Sequence, residues 1–188
     1  MNGVHFPNLT TQIGGAPGAS IDPLLALKRR LQGLGITVKY PLDEIPSFSV
    51  SGLTPYDMAL AYYQAIAAHD FHIIFNERAG TIGYLDSTLA LEMLYAMVQH
   101  RPIVLLHSPV FQPDVDTFAR DTIERHLNRI VIGNLSTLDI VDTVYLLRNV
   151  ASQPIWYMLS NGDKRIIANH VRAYFRHFFD GAATRGRR

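Results

Sequence analysis

The chain reads as an α/β domain, a three-layer flavodoxin- or Rossmann-like fold with a parallel sheet of about five strands and helices on both faces. Three observations predict it. Strand-like and helix-like segments alternate almost from end to end. The runs FHIIF and PIVLL are apolar nearly throughout, as strands become when helices cover both faces of a sheet. Glycine and proline punctuate the junctions, where helices start and stop.

The first strand is expected within Leu9–Ile13 and ends in the glycine-rich turn GGAPGAS. Asp22 reads as an N-cap with Pro23 at the first helical position, opening the helix LLALKRRLQGL, which Gly33 or Gly35 stops. A short strand, ITVKYP, is closed by Pro41, and residues 42–54 form a loop without a clear period. Thr54 caps the helix that Pro55 opens, YDMALAYYQAIAAH, and FHIIF is the next strand. The loop NERAGTIGYLD leads into the helix STLALEMLYAMVQ and the strand PIVLL. Beyond Ser108 the pattern weakens to a helix over 114–127, a fifth strand in RIVIGN, and helices near 136–149 and 161–179. One domain is expected over residues 1–180, with 181–188 a basic, disordered tail.

Composition narrows the function classes. A chain of 188 residues with 48% hydrophobic and 18% charged residues belongs with compact domains rather than disordered ones. A formal net charge of +1 is too small to argue for or against a polyanion partner; a nucleic-acid partner is not expected. The absence of cysteine excludes disulfides, a thiolate nucleophile and Cys-based metal sites. The opening residues lack a basic segment followed by an apolar core, and no apolar run reaches the roughly 20 residues of a bilayer span. A soluble, cytoplasmic protein without a membrane partner is the expectation.

The segment from His69 to Leu106 sets three carboxylates, Asp70, Asp86 and Glu92, in an apolar frame. An unpaired buried charge is expensive, so these residues either face water or form a site. In the helix beginning near Ser87, apolar side chains wrap most of the circumference. The exceptions, Thr88, Glu92, Tyr95 and Gln99, recur at i, i+4, i+7 and i+11 and share one narrow face. That stripe reads either as a solvent face or as the border of a cleft. In the second reading Glu92, near the first turn, is favoured by the positive end of the helix and is the kind of oriented carboxylate that attacks an anomeric carbon. Asp86 reads as an N-cap, or as a loop acid folded back over the same pocket. Asp70, at a helix–strand junction, reads equally as a turn residue. Ligands of parallel α/β sheets bind beyond the carboxyl ends of the strands, where Asp86 and the glycine-rich turn fall.

These residues resemble the nucleoside 2-deoxyribosyltransferase superfamily. His69-Asp70 stands where that family has an Ala-Asp pair before a strand, and Gly80-Thr81-Ile82-Gly83 where it has a glycine-containing loop. Glu92-Met93-Leu94-Tyr95-Ala96 matches its E-x-G-Y-A, and Arg101-Pro102 its Lys-Pro before the next strand. The similarity spans about residues 55–106; Leu94 replaces the family glycine, and Phe6 is the nearest counterpart of its sugar-contacting aromatic. The resemblance implies cleavage or transfer at an N-glycosidic bond of a nucleoside or nucleoside monophosphate. By it, Glu92 attacks C1′, Asp70 and Asp86 hydrogen-bond or protonate the departing base, and Gly83, Ser87 and Tyr95 contact substrate. It also implies a homo-oligomer whose sites are completed by a neighbouring subunit, with Asn161 as the candidate for that role. No cofactor and no metal are implied.

Other signals are weaker. The backbone of GGAPGAS (Gly14, Gly15, Gly18, Ser20) could cradle a phosphate or sugar, but it lacks a P-loop lysine and the dinucleotide spacing, so a tight turn explains it as well. Ser20 and Ser87 are the candidate phosphate contacts. His69 and His72 share no metal-ligand spacing, and His72, alternating within a strand, reads as a hydrogen-bonded core residue. No G-x-S-x-G elbow is present, which argues against a serine hydrolase. HVRAYFRHFF reads as an amphipathic terminal helix. The alternative function is a non-catalytic nucleotide-binding or sensory domain of the same fold.

Overall fold

The computed structural model describes residues 6, 8–15, 21–40, 55–78, 80–133 and 157–185. Its centre is a five-stranded sheet made of β1 (Thr10–Gly15), β2 (Thr37–Lys39), β3 (Phe71–Phe75), β4 (Ile103–Leu105) and β5 (Val131–Ile132). Every pairing is parallel, and the spatial order is β2-β1-β3-β4-β5. Among the described residues the α-helices are α1 (Ile21–Gly33), α2 (Pro55–Ala68), α3 (Ser87–Val98), α4 (Thr117–His126) and α5 (Asn161–Arg185). This is the predicted three-layer α/β fold. The chain passes from β1 to β2 on one side, then crosses to β3 on the other. The strand order therefore reverses between β1 and β3, and their carboxyl ends flank the crevice where such sheets take ligands.

Strand alternation sorts the core into two layers. Ile13, Phe71, Ile73, Phe75 and Val104 pack with Leu24, Leu27 and Leu31 of α1. Ile74, Ile103 and Leu105 face the other way, into the layer built by α2, α3, α4 and α5. On that second face β1 itself contributes no aliphatic side chain. Gln12 and Gly14 of β1 pair in register with His72 and Ile74 of β3, so a patch of polar and small residues lies under α2 and α3.

Several boundaries differ from the sequence reading, each for a local reason. β1 does not stop at Ile13 but runs through Gly14 and Gly15, which pair with Ile74 and Phe75, so the turn begins later. α1 begins at Ile21, which places Asp22 and Pro23 inside its first turn; proline is tolerated there because first-turn N–H groups have no helical acceptor. Between β3 and α3, the expected plain loop carries two short ladders. Glu77–Arg78 pairs antiparallel with Thr81–Ile82, and Tyr84–Leu85 pairs parallel with Val110–Phe111. The turn between them needs Gly83, whose φ is +81° and whose Cβ would meet the Ser108 carbonyl at 2.3 Å. Asn76 ties β3 to the end of β4 by donating to the His107 carbonyl (2.8 Å) and accepting from its N–H (3.1 Å).

α5 lies against α2 and α3 and continues to Arg185, which takes in most of the segment expected as a disordered tail. Ala182 and Ala183, strong helix formers, suit that continuation. Ser20, Gly18, Thr54, the loop 42–54 and the helix expected near 136–149 lie outside the described residues. Among those described, no helix is long and apolar enough to cross a membrane.

Candidate functional site

Glu92 is the sixth residue of α3, in its second turn, beyond the reach of the helix's positive end. Interactions with neighbouring side chains hold it instead. The Tyr62 hydroxyl of α2 donates to Glu92 Oε2 at 2.7 Å, and His72 Nε2 of β3 lies 3.5 Å from the same oxygen. Beneath them runs the backbone of β1 at Gly14. A Cβ there would lie 2.2 Å from Glu92 Oε2 and 2.7 Å from the Tyr62 hydroxyl, so only glycine leaves the carboxylate its place. Glu92 is 4% exposed. The polar stripe of α3 is thus not an open solvent face: Tyr95 is half-buried, edge-on to Tyr63 with ring centroids 5.0 Å apart, and α5 packs over this side of α3.

Tyrosines crowd the carboxylate, and their acidity records it. Burial pushes Tyr62 well above the ordinary phenol range, and the Glu92 charge and hydrogen bond push it further, so the hydroxyl remains a donor. Tyr63 is also raised well above that range, first by burial, then by Glu92. Tyr174 of α5 is pushed up to about 12 by burial and then by both Glu92 and Asp86, which puts its hydroxyl within the field of the two acids. Tyr174 also lines a cleft of about 190 Å³ between α3, α4 and α5, together with Ser87, Thr88, Leu91, Leu94 and His170. Leu94 therefore faces this cleft.

The structure separates the other predicted residues. Asp86 is the N-cap of α3, its Oδ1 accepting from the Leu89 N–H at 3.0 Å, and it is buried at the carboxyl edge of the sheet. Capping and proximity to Tyr174 are compatible, because the cap uses one carboxylate oxygen. Asp70 lies at the opposite, amino edge, where Oδ2 accepts from the Thr10 N–H and hydroxyl, both at 2.8 Å. It joins the starts of β1 and β3 and is not gathered with Glu92. Gly15 ends β1, paired with Phe75, and Gly83 serves the turn described above. Ser87 is engaged by Asp114, which accepts its N–H at 3.1 Å and its hydroxyl at 2.8 Å. Asn161 is exposed at the start of α5, near the Arg125–Asp163 ion pair at the end of α4, and so on the amino-edge side.

Sequence reasoning missed Tyr62, Tyr174 and the pairing of His72 with Glu92. The available signal was alternation in β1 and β3, which puts Gln12, Gly14 and His72 on one face of the sheet. Gln12 Nε2 donates to the Tyr62 carbonyl at 3.2 Å, fixing the backbone that carries the tyrosine. Among the described residues no cluster of His, Cys, Asp and Glu could hold a metal ion. The fold and site together define an α/β domain with an oriented, buried glutamate at the strand-order reversal. Comparison with family models, with curated proteins and with solved structures gives no match for this chain.

Proposed function

We propose that the protein cleaves or transfers the N-glycosidic bond of a nucleoside or nucleoside monophosphate, with Glu92 as the nucleophile. The observation that carries the reading is the mounting of Glu92. Its Oε2 is held by Tyr62 over Gly14 beside the crevice between β1 and β3, while Oε1 receives no hydrogen bond from the described residues. Oε1 attacks C1′; the C1′–Oε1 bond forms as the C1′–N bond breaks, and the electron pair leaves with the base. Asp86 supplies the proton that the departing base takes up. Water or a second base then attacks C1′ and gives its proton to Asp86, while the C1′–Oε1 bond breaks and Glu92 leaves as carboxylate. Asp70 has no part in this reading, because it is held at the other edge of the sheet.

The test is a panel of deoxynucleosides and nucleoside monophosphates, incubated with and without an acceptor base and followed by chromatography of the freed base. Base release or exchange by the wild type, lost in Glu92→Gln, is expected. Failure of the wild type to act on any member, or full activity of Glu92→Ala, refutes the proposal. A second reading, a nucleotide-binding domain without turnover, is favoured by the burial of Glu92 and by Leu94 in place of the family glycine. It predicts thermal stabilisation by nucleotides that survives Glu92→Gln.

A further inference from the structure

Among the described residues, the buried polar atoms without a hydrogen bond include Gln12 Oε1, the Tyr63 hydroxyl and His72 Nε2. The last is aimed at Glu92. On the other side of the His72 ring, Nδ1 lies 3.2 Å from the Gln12 carbonyl oxygen. A carbonyl oxygen only accepts, so Nδ1 carries a hydrogen and the tautomer is set from behind. Nε2 then faces Glu92 Oε2 at 3.5 Å, with the two side chains 0% and 5% exposed. The gap is too short for a bridging water. With no proton between them, a nitrogen lone pair and a carboxylate oxygen would oppose each other in a dry interior, which is costly.

We propose that His72 is a positioning residue for Glu92: imidazole and carboxylate together carry one further proton, directed from Nε2 toward Oε2, and this contact, with the Tyr62 hydroxyl, fixes Oε2 so that Oε1 is the attacking oxygen. The proposal rests on the reading of Glu92 as nucleophile. One shared proton leaves the pair neutral overall, so the carboxylate is buried without an uncompensated charge. Tyr62, Tyr63 and Tyr174, the other titratable groups near Glu92 from α2 and α5, have phenols raised by burial and stay neutral; Asp86 is the further acid near Tyr174.

The pair also has a consequence for turnover. As Oε1 bonds to C1′ and the base departs with the C1′–N electron pair, Oε2 becomes the carbonyl oxygen of an ester. The shared proton then resides on Nε2, which donates to that carbonyl. The resulting imidazolium has lost its counter-charge, which raises the free energy of the glycosyl-enzyme and favours its breakdown, when the carboxylate returns.

The experiment compares ring 15N spectra of wild type and Glu92→Gln, with steady-state base release by wild type and His72→Gln. We expect Nδ1 to stay protonated in both spectra and Nε2 to move toward a bare acceptor in Glu92→Gln. We expect kcat of His72→Gln to fall by about ten-fold or more with KM within about two-fold, and the glycosyl-enzyme to accumulate in mass spectra. An Nε2 resonance identical in the two proteins overturns the shared proton. A wild-type kcat in folded His72→Gln overturns the positioning role. If the wild type frees no base while Nε2 still responds to Glu92→Gln, the enzymatic reading falls and the pairing stands. Should His72→Gln not fold, the 15N comparison decides.

Discussion

Replacing Gly14 with alanine would test how tightly β1 underlies the carboxylate. Gly14 has no left-handed φ, so alanine can adopt its backbone without strain. The methyl group is another matter, because it would stand 2.2 Å from Glu92 Oε2, 2.7 Å from the Tyr62 hydroxyl and 3.2 Å from His72 Cε1. Ordinary contact between heavy atoms begins near 3.5 Å, so the carboxylate must retreat by about an ångström or more. Overpacking of this kind costs about 1–3 kcal/mol. Retreat also strains the Tyr62–Glu92 hydrogen bond, and bonds to charged groups contribute about 1.5–3 kcal/mol. One movement relieves both, so the costs overlap rather than add. Reduced freedom of the unfolded chain returns about 0.4–1 kcal/mol. The net expectation is a loss of about 2 kcal/mol, or about 4–8 °C in Tm for a chain of this size. Gly33→Ala is the control: nothing lies within 4 Å of its added Cβ, so it should be neutral or stabilising by up to about 1 kcal/mol. Urea unfolding followed by circular dichroism measures both. Equal stability of the two variants would refute the argument that Gly14 is there to make room for Glu92.

Tyr62→Phe removes the hydroxyl that holds Oε2 and should cost about 1–3 kcal/mol in urea unfolding, with a lower kcat for base release. Asp86→Ala should lose about 1 kcal/mol of helix capping, whereas Asp86→Asn, an equally good cap, should keep stability within about 0.5 kcal/mol yet slow base release; equal kcat in wild type and Asp86→Asn would exclude Asp86 as the acid. Asp163 gives a pH test away from the site. Hydrogen bonds from the Ser160 N–H and then its hydroxyl hold the Asp163 carboxyl below the usual range. A lowered folded-state value means its stabilisation is present above the unfolded aspartate value of about 3.9 and is lost as pH falls through the folded one. The stability gap between wild type and Asp163→Asn, measured by denaturation at neutral pH and again at progressively more acidic pH, should therefore shrink; a gap that stays constant would contradict the assignment.

How much of this was legible beforehand varied with the range of the interaction. Alternation of strand and helix predicted the sheet, because both periods are local. The spacing of Thr88, Glu92, Tyr95 and Gln99 isolated one face of α3 but could not say what covers it. The sequence already set Asp70 just before β3 and Asp86 at the carboxyl ends of the strands; the resemblance brought both to the departing base, whereas Thr10 holds Asp70 at the amino edge. Gly14-Gly15 looked like a turn, since glycine in sequence signals backbone freedom. In the structure Gly14 is an extended strand residue, required by a glutamate far along the chain.

The amino-acid sequence determined the fold class, the order of the elements and the burial of β3 and β4, which follow from patterns that repeat within a few residues. Spacing put Glu92 on a polar stripe, and the family resemblance, not the spacing, made it the acid to watch. The tertiary structure decided the rest: that Tyr62 and His72 meet Glu92 on one oxygen, that Gly14 clears the space beneath it, and that Asp70 braces the far edge of the sheet. Those contacts join residues from β1, α2, β3 and α3, and no periodicity within one element can specify which side chains of another will face it.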